Sequence, residues 1–98
     1  MKAVRINEFG GLEVLKWEDV PEPTARPGYV VIKVEAAGVN YADLMRRGGG
    51  YPGPDLPSSL GLEAAGTVVD VGENVEGITM GQRVMAMGPQ GQAEYVSV

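Results

Sequence analysis

Glycine and proline interrupt this chain at short intervals, and that spacing limits what it can fold into. The 98 residues contain 15 glycines and 7 prolines, more than an average globular protein but fewer than a low-complexity sequence. Stretches rich in valine and isoleucine lie between the interruptions. Short strands separated by frequent turn signals predict one small, mainly β domain, folded as a barrel or a sandwich.

Alternating apolar and polar residues locate the strands. The clearest pattern is Tyr29–Ala37, where Val30, Ile32 and Val34 fall on one face and the charged residues fall on the other. Gly66 interrupts a second long pattern, and a glycine inside a strand indicates a close backbone approach or a bulge. Further strands are predicted over Lys2–Ile6, Glu13–Val20, Glu63–Val71, Val84–Met87 and Gln92–Val98.

A short helix is predicted over Asn40–Arg47. Its first residue is an asparagine, which is a good N-cap, and Asp43 lies in the first turn, where the helix dipole favours an acid. Arg46 and Arg47 lie in the last turn, where the dipole favours cations. The segment Gly48–Pro57 follows as a loop rich in glycine and proline.

The residue types exclude several classes of function. The chain has no cysteine and no histidine, which rules out disulfides, a Cys/His zinc site and a Ser-His-Asp triad. Its 13 acids exceed its 8 bases, and the net charge of -5 argues against binding to nucleic acid or anionic membranes. Because no apolar run is long enough to span a bilayer and the N-terminus has no signal core, we expect a cytoplasmic protein.

Two motifs that resemble ligand sites are interpreted as structural. Gly48, Gly50 and Gly53 match the letters of a dinucleotide fingerprint. They follow the predicted helix instead of opening one, so a plain loop is the better interpretation. The acidic residues of the 70–76 turn lack the ligand spacing of a calcium loop and indicate a solvated hairpin turn.

Glu63 has three interpretations. It lies among small and apolar residues, where a buried unpaired carboxylate is unfavourable. It is therefore paired with a cation, at a surface edge, or functional, and Arg46, Arg47 and Arg83 are the candidate cations.

Three polar residues around the predicted helix also have two interpretations. Asn40 is a helix cap whose amide could present one free group to a ligand. Tyr41 and Tyr51 flank the helix and the loop that follows it. Each tyrosine is either a packing residue or a ring that stacks on a flat ligand and donates a hydrogen bond.

Three segments taken together resemble a known family. They are Val30–Asp43 with the Gly-Tyr-Pro-Gly-Pro run after it, Gly61–Gly72, and Gly81–Val84. Their order and spacing are similar to the N-terminal part of medium-chain dehydrogenases/reductases, above all the zinc-independent quinone oxidoreductases of the zeta-crystallin group. The resemblance covers nearly all of the chain. It implies a single GroES-like domain over residues 1–98, a mainly β, partly open barrel with one or two short helices.

Two positions of this resemblance bear on metal binding. In zinc-dependent members a cysteine stands at the position of Asn40 and a histidine at the position of Leu62. The resemblance therefore implies that there is no metal site, in agreement with the composition. One departure is Gln82, where the family has aspartate, and we expect it to weaken a turn hydrogen bond or salt bridge.

The quinone oxidoreductase branch also implies a site. There NADPH lies in a cleft between this barrel and a Rossmann domain, and hydride passes to a quinone or an α,β-unsaturated carbonyl (an enone). The helix start lines that cleft, so Asn40 and Tyr41 would position the nicotinamide and polarise the carbonyl, with Tyr51 as a stacking wall. The implied catalytic residues are Asn40, Tyr41 and Tyr51, and the implied cofactor-binding residues are Asn40, Tyr41, Ala42, Asp43 and Met45.

The resemblance implies a longer chain than this one. The 98 residues contain no βαβ unit and no valid phosphate loop. We therefore expect a domain excised or truncated from the enzyme, with no tight NADPH binding or activity of its own. Exposed strand edges and a bare face towards the missing Rossmann domain favour self-association as a homodimer or larger oligomer. The alternatives are a stand-alone scaffold, a co-chaperonin-like oligomeric binding module and an engineered minimal domain.

Overall fold

A computed structural model describes residues 1–88 and 90–98 and shows a mainly β chain. Two antiparallel sheets, an α-helix and a 3-10 helix form its regular structure. In the part of the chain that is described, no helix has the length and apolar character needed to cross a membrane. The elements are β1 (Lys2–Ile6), the 3-10 helix (Leu12–Val14), β2 (Lys16–Asp19), β3 (Val30–Ala37), α1 (Tyr41–Gly48), β4 (Ser58–Ser59), β5 (Glu63–Val71), β6 (Arg83–Met87) and β7 (Tyr95–Ser97).

The four-stranded sheet is the larger of the two and has the order β6-β5-β3-β7. Its centre is the antiparallel pair β3–β5, which begins with Val30 opposite Val71 and contains two register shifts. The smaller sheet has the order β2-β1-β4, and a bridge between Ala3 and Ala93 links β1 to the segment before β7. Over residues 1–88 and 90–98 the sheets do not close into one barrel, which confirms the predicted partly open form.

Two apolar clusters explain the strand patterns. One buries residues of β3, β5 and β7, with Ile32 and Val68 almost completely inaccessible. The other joins Ile6 of β1, Val14 of the 3-10 helix and Leu60 before β5. Because each fully buried branched side chain contributes about 1.5–3 kcal/mol, these clusters fix the faces of the strands.

The predicted strand Glu13–Val20 is wrong in its first half. The N–H of Leu15 donates to the carbonyl of Leu12 at 3.2 Å, which closes a 3-10 turn, and β2 begins only at Lys16. The carboxylate of Glu13 accepts the N–H of Gly11 at 3.0 Å and holds this turn. The turn buries Val14, which a strand in this register would not.

The predicted strand Gln92–Val98 is shorter than expected. The strand is Tyr95–Ser97, which pairs with β3, and Val98 also exchanges two backbone hydrogen bonds with Val30. Gln92 and Glu94 donate their backbone N–H groups towards the smaller sheet, to the carbonyls of Leu60 and Lys2. The segment therefore joins the two sheets, and the sequence analysis also missed β4, which pairs with the end of β1.

Two turn and strand positions show how single residues shape the backbone. A Cβ at Gly66 would collide with the carbonyl of Lys33 on the neighbouring strand, which confirms the predicted close approach. The side-chain oxygen of Gln82 accepts the N–H of Thr79 at 3.2 Å. The turn before β6 thus keeps a side-chain hydrogen bond with glutamine in place of the family's aspartate.

Candidate functional site

The start of α1 is built from Asn40 and Asp43. Asn40 has extended backbone angles at the N-cap, which confirms its predicted capping position. The backbone N–H of Asn40 donates to Oδ2 of Asp43 at 2.9 Å, and the N–H of Asp43 donates to the carbonyl of Asn40 at 3.0 Å. This reciprocal pair satisfies groups that a helix leaves free at its N-terminus.

The carboxylate of Asp43 points into the protein. The residue is 5% exposed, and its Oδ1 accepts the N–H of Gly61 at 3.0 Å. Its Oδ2 also accepts Nε2 of Gln92 at 3.4 Å. Because these donors lie 18 and 49 residues further along the chain, Asp43 ties α1 to two of the segments that join the sheets.

Glu63 is exposed and contacts the helix start instead of an arginine. Nδ2 of Asn40 donates to Oε1 of Glu63 at 3.4 Å. The Glu63 side chain also lies over Gly38, where a Cβ would collide with it. Among residues 1–88 and 90–98, Glu63 forms no salt bridge with Arg46, Arg47 or Arg83, so the predicted pairing with a cation is wrong. Glu63 lies instead at an exposed edge, where a carboxylate does not require a cation.

The exposed side chains of α1 and of the loop after it lie on different parts of the surface. Tyr41 is 77% exposed at the first helical residue, and Met45 is 38% exposed one turn later. Tyr51 is 37% exposed and lines a cavity of about 60 Å³ together with Ala42 and Asp43. The structure thus brings Ala42, Asp43 and Tyr51 to one cavity, while Asn40, Tyr41 and Met45 are not among its lining residues.

Arg46 also lines this cavity, and the sequence analysis assigned it no role in a site. Its guanidinium donates to the carbonyl of Pro54 and to Oγ of Ser58, the latter at 3.3 Å. It also lies 5.3 Å from the centre of the Phe9 ring, within the range of a cation–π contact. The one available signal was an arginine placed shortly before a glycine- and proline-rich loop.

Two larger depressions lie outside this cavity. A groove of about 510 Å³ runs over β3, β5 and β6 and includes Gly38 and Glu63. The side chains of Met85 and Met87 border it and are 87% and 88% exposed. A wider gap of about 680 Å³ separates the end of β2 from β7. The groove includes Glu63, the hydrogen-bond partner of Asn40, so the helix start lies between this groove and the small cavity.

The side chains that could bind a metal ion do not form a cluster in the described part of the chain. Among residues 1–88 and 90–98, no three acidic, cysteine or histidine side chains come close enough to share an ion.

The two carboxyls with clearly lowered pKa values, Glu13 and Asp19, lie outside α1 and its cavity. The hydrogen bond from Lys2 lowers the pKa of Asp19, and the backbone N–H groups of Glu13 and Gly11 lower the pKa of Glu13.

The chain was compared with known protein families. The family model described as the alcohol dehydrogenase GroES-like domain matches residues 26–97. A quinone oxidoreductase from Lama guanicoe is 44% identical over 99 residues, which is 97% of this chain and 30% of that protein. An acryloyl-coenzyme A reductase from Sulfurisphaera tokodaii is 36% identical over 100% of this chain and 29% of its own length.

The fold is also that of solved enzymes. The crystal structure of Escherichia coli quinone oxidoreductase complexed with NADPH superposes on the whole chain with a TM-score of 0.93 and 33% identity. The match covers 31% of that enzyme. The chain therefore spans about 30% of the length of the curated relatives it matches.

Proposed function

The chain belongs to the alcohol dehydrogenase GroES-like domain family, and from that premise we propose that it is the substrate-side domain of an NADPH-dependent quinone or enone oxidoreductase. One observation carries the proposal: the whole chain superposes with a TM-score of 0.93 on a quinone oxidoreductase solved with NADPH. Acryloyl-coenzyme A, named in another relative, carries an α,β-unsaturated carbonyl, so both acceptor classes lie within the proposal. The activity belongs to a longer protein that includes a Rossmann domain.

The residues of this chain fit the nicotinamide ring of the cofactor and not its phosphates. Asn40, Tyr41 and Met45 present an amide, an exposed ring and a thioether at the helix start. The loop over residues 49–57 follows α1 and opens no helix, so it offers no helix N-terminus to a pyrophosphate. NADPH supplies a hydride when it is bound, and the phosphate contacts must come from outside these residues.

The proposed catalytic roles of these residues are to orient the cofactor and the acceptor and to exclude water. Asn40 and Tyr41 contact the nicotinamide and polarise the acceptor carbonyl, while Tyr51 is a wall against which the acceptor ring stacks. Ala42 and Met45 complete the surface towards the cofactor. Asp43 acts from beneath this surface, because its buried carboxylate holds the backbone of Asn40 in place.

Zinc independence is supported by the donor set. Asn40 and Leu62, which stand where zinc-dependent members have cysteine and histidine, provide an amide and an alkyl chain. Neither is a zinc ligand of the usual kind. The cytoplasmic location stays a prediction.

Self-association of the chain is part of the proposal and has a physical basis. Strand β6 is an edge of the larger sheet, and Met85 and Met87 on it are almost fully exposed. Apolar edge strands pair with other chains unless something covers them. Sedimentation should therefore show a homodimer or larger oligomer at high concentration. A strict monomer would contradict this part of the proposal. A seven-membered ring would favour the co-chaperonin-like alternative.

The proposal is tested with a chimaera in which this chain replaces the matching first part of the E. coli enzyme. We expect NADPH oxidation dependent on duroquinone from the chimaera, and neither tight NADPH binding nor turnover from the isolated chain. A cooperatively folded chimaera with no turnover would contradict the proposal. Turnover by the isolated chain would contradict the need for a second domain.

A further inference from the structure

We propose that Arg46 is a positioning residue that sets the place of Tyr51 over the acceptor site. The proposal rests on the proposed function, in which Tyr51 stacks on the acceptor ring. Tyr51 belongs to a loop of glycines and prolines that forms neither a helix nor a strand. A stacking wall on such a loop needs an anchor, because ordering a free loop on binding would cost affinity.

The guanidinium of Arg46 bridges two positions in the segment after Tyr51. Its Nη2 atom donates both to the carbonyl of Pro54 and to Oγ of Ser58, the first residue of β4. Arginine suits this task because the N–H groups of its planar guanidinium point in fixed directions. Since β4 pairs with β1, the Ser58 contact ties the loop to the sheet.

The Arg46 side chain also has close neighbours on the N-terminal turn and on the loop. The centre of the Phe9 ring lies 5.3 Å from the guanidinium carbon, and a Cβ at Gly49, the start of the loop, would lie 3.2 Å from the same ring. The backbone of Gly53 approaches so closely that a Cβ there would lie 2.7 Å from Nε of Arg46. The side chain is therefore held between an aromatic ring and the loop backbone, and Arg46 and Tyr51 share the 60 Å³ cavity beside Asp43.

The arrangement predicts separate positioning roles for Asp43 and Arg46. Asp43 fixes the helix start, where the cofactor-facing residues lie, and Arg46 fixes the loop that carries the acceptor-facing ring. Loss of the Arg46 guanidinium should release Tyr51 without disturbing the helix start. The consequence would be weaker binding of the acceptor.

The test labels this chain with 3-fluorotyrosine and follows the four tyrosine resonances by fluorine NMR, with Y51F to assign Tyr51. In Arg46→Ala the Tyr51 resonance should move towards that of free fluorotyrosine and sharpen, while Tyr29, Tyr41 and Tyr95 stay in place. Arg46→Lys keeps the charge but not the planar guanidinium, and its Tyr51 resonance should lie between those of the parent chain and Arg46→Ala. Arg83→Ala, which removes the same charge from an exposed position on β6, is the matched control.

Titration with duroquinone, in the chimaera labelled in the same way, separates this proposal from the proposed function. In the parent chimaera duroquinone should shift the Tyr51 resonance, again assigned with Y51F, and in Arg46→Ala the midpoint should rise by roughly tenfold, the loss expected for a charge-assisted hydrogen bond. A Tyr51 resonance that is the same in the parent and in Arg46→Ala would overturn the positioning role. If Tyr51 depends on Arg46 but duroquinone shifts no resonance of the chimaera, the positioning role stands and the proposed quinone function is what fails.

Discussion

The two ends of α1 are held by different kinds of contact. At the N-terminal end, the buried carboxylate of Asp43 accepts hydrogen bonds from Asn40, Gly61 and Gln92. At the C-terminal end, the long and half-buried side chain of Arg46 contacts the following loop and an exposed ring. A short buried acceptor has few alternative positions, whereas a long cation near solvent can adapt. The cofactor-facing end should therefore be rigid and costly to alter, and the acceptor-facing end more tolerant.

Asp43→Asn should have the largest effect on stability. The amide keeps the shape but replaces one acceptor oxygen with a donor that faces other donors. We expect a loss of about 3 kcal/mol in the free energy of unfolding, measured by urea titration. Asp55→Asn, at an exposed position in the loop, is the control and should change stability by less than about 0.5 kcal/mol. Equal losses in the two variants would contradict the special role of the buried carboxylate.

Gly61→Ala should be the next most damaging change at the rigid end. Gly61 has a φ of 108°, and a Cβ there would lie 2.7 Å from the backbone nitrogen of Gln92. The strain and the clash together should cost about 2 kcal/mol. Gly48→Ala is the matched control, because no atom lies within 4 Å of the new Cβ and alanine favours the helix. That variant should gain about 0.5–1 kcal/mol, and a loss there would show that the last turn is less regular than described.

Gly53→Ala probes the adaptable end and should cost less. Its Cβ would meet the end of the flexible Arg46 side chain and no backbone atom within the nearest contacts. We expect a loss of under about 1 kcal/mol in urea titration, together with a displaced fluorotyrosine signal from Tyr51. A loss as large as that of Gly61→Ala would remove the contrast between the two ends.

The smallest expected effect is on the pH dependence of stability, and it arises in the turn that hydrogen-bonds to the C-terminal end of α1. The N–H of Gly10 donates to the carbonyl of Arg47, and the N–H groups of Glu13 and Gly11 lower the pKa of the Glu13 carboxyl. A carboxyl whose folded pKa is lowered adds stability above its unfolded value of 4.5, and this is lost as the pH falls through the folded value.

Glu13→Gln should therefore be slightly less stable than the parent at neutral pH and equally stable at a pH well below 4.5. Urea titrations at both pH values measure the difference. Glu76→Gln, at another exposed position, should show no such convergence. A Glu13→Gln deficit that persists in acid would mean that the glutamate acts through packing and not through its charge.

Local patterns in the sequence predicted the elements well. The alternation of Val30 and Ile32 gave the central strand, and the N-cap asparagine with two terminal arginines gave α1 within one residue of its observed bounds. The 3-10 turn at Leu12–Val14 was missed because a hydrogen bond from Gly11 to Glu13 overrides the strand alternation there. Local capping chemistry of this kind competes with a short alternating pattern.

The contacts of the site could not be predicted in the same way. Asp43 was recognised as a first-turn acid, but its partners are distant in the sequence: Gly61 donates through its backbone N–H and Gln92 through its side-chain amide, and no local pattern brings either to Asp43. Arg46 was assigned to the helix dipole, although its contacts with Phe9 and Ser58 depend on how the two sheets bring the loop back. Side-chain periodicity reports which face is buried and not which atoms meet.

The role of the helix start is tested most directly by the rate of NADPH oxidation in the chimaera. Asn40→Ala should lower kcat/KM for duroquinone by about tenfold or more, because an orienting amide is lost from the reacting face. Asn7→Ala, which removes an exposed amide that bonds to Glu18 and not to the start of α1, should leave kcat/KM within about twofold. Equal rates for Asn40→Ala and the parent chimaera would contradict a substrate site at the start of α1.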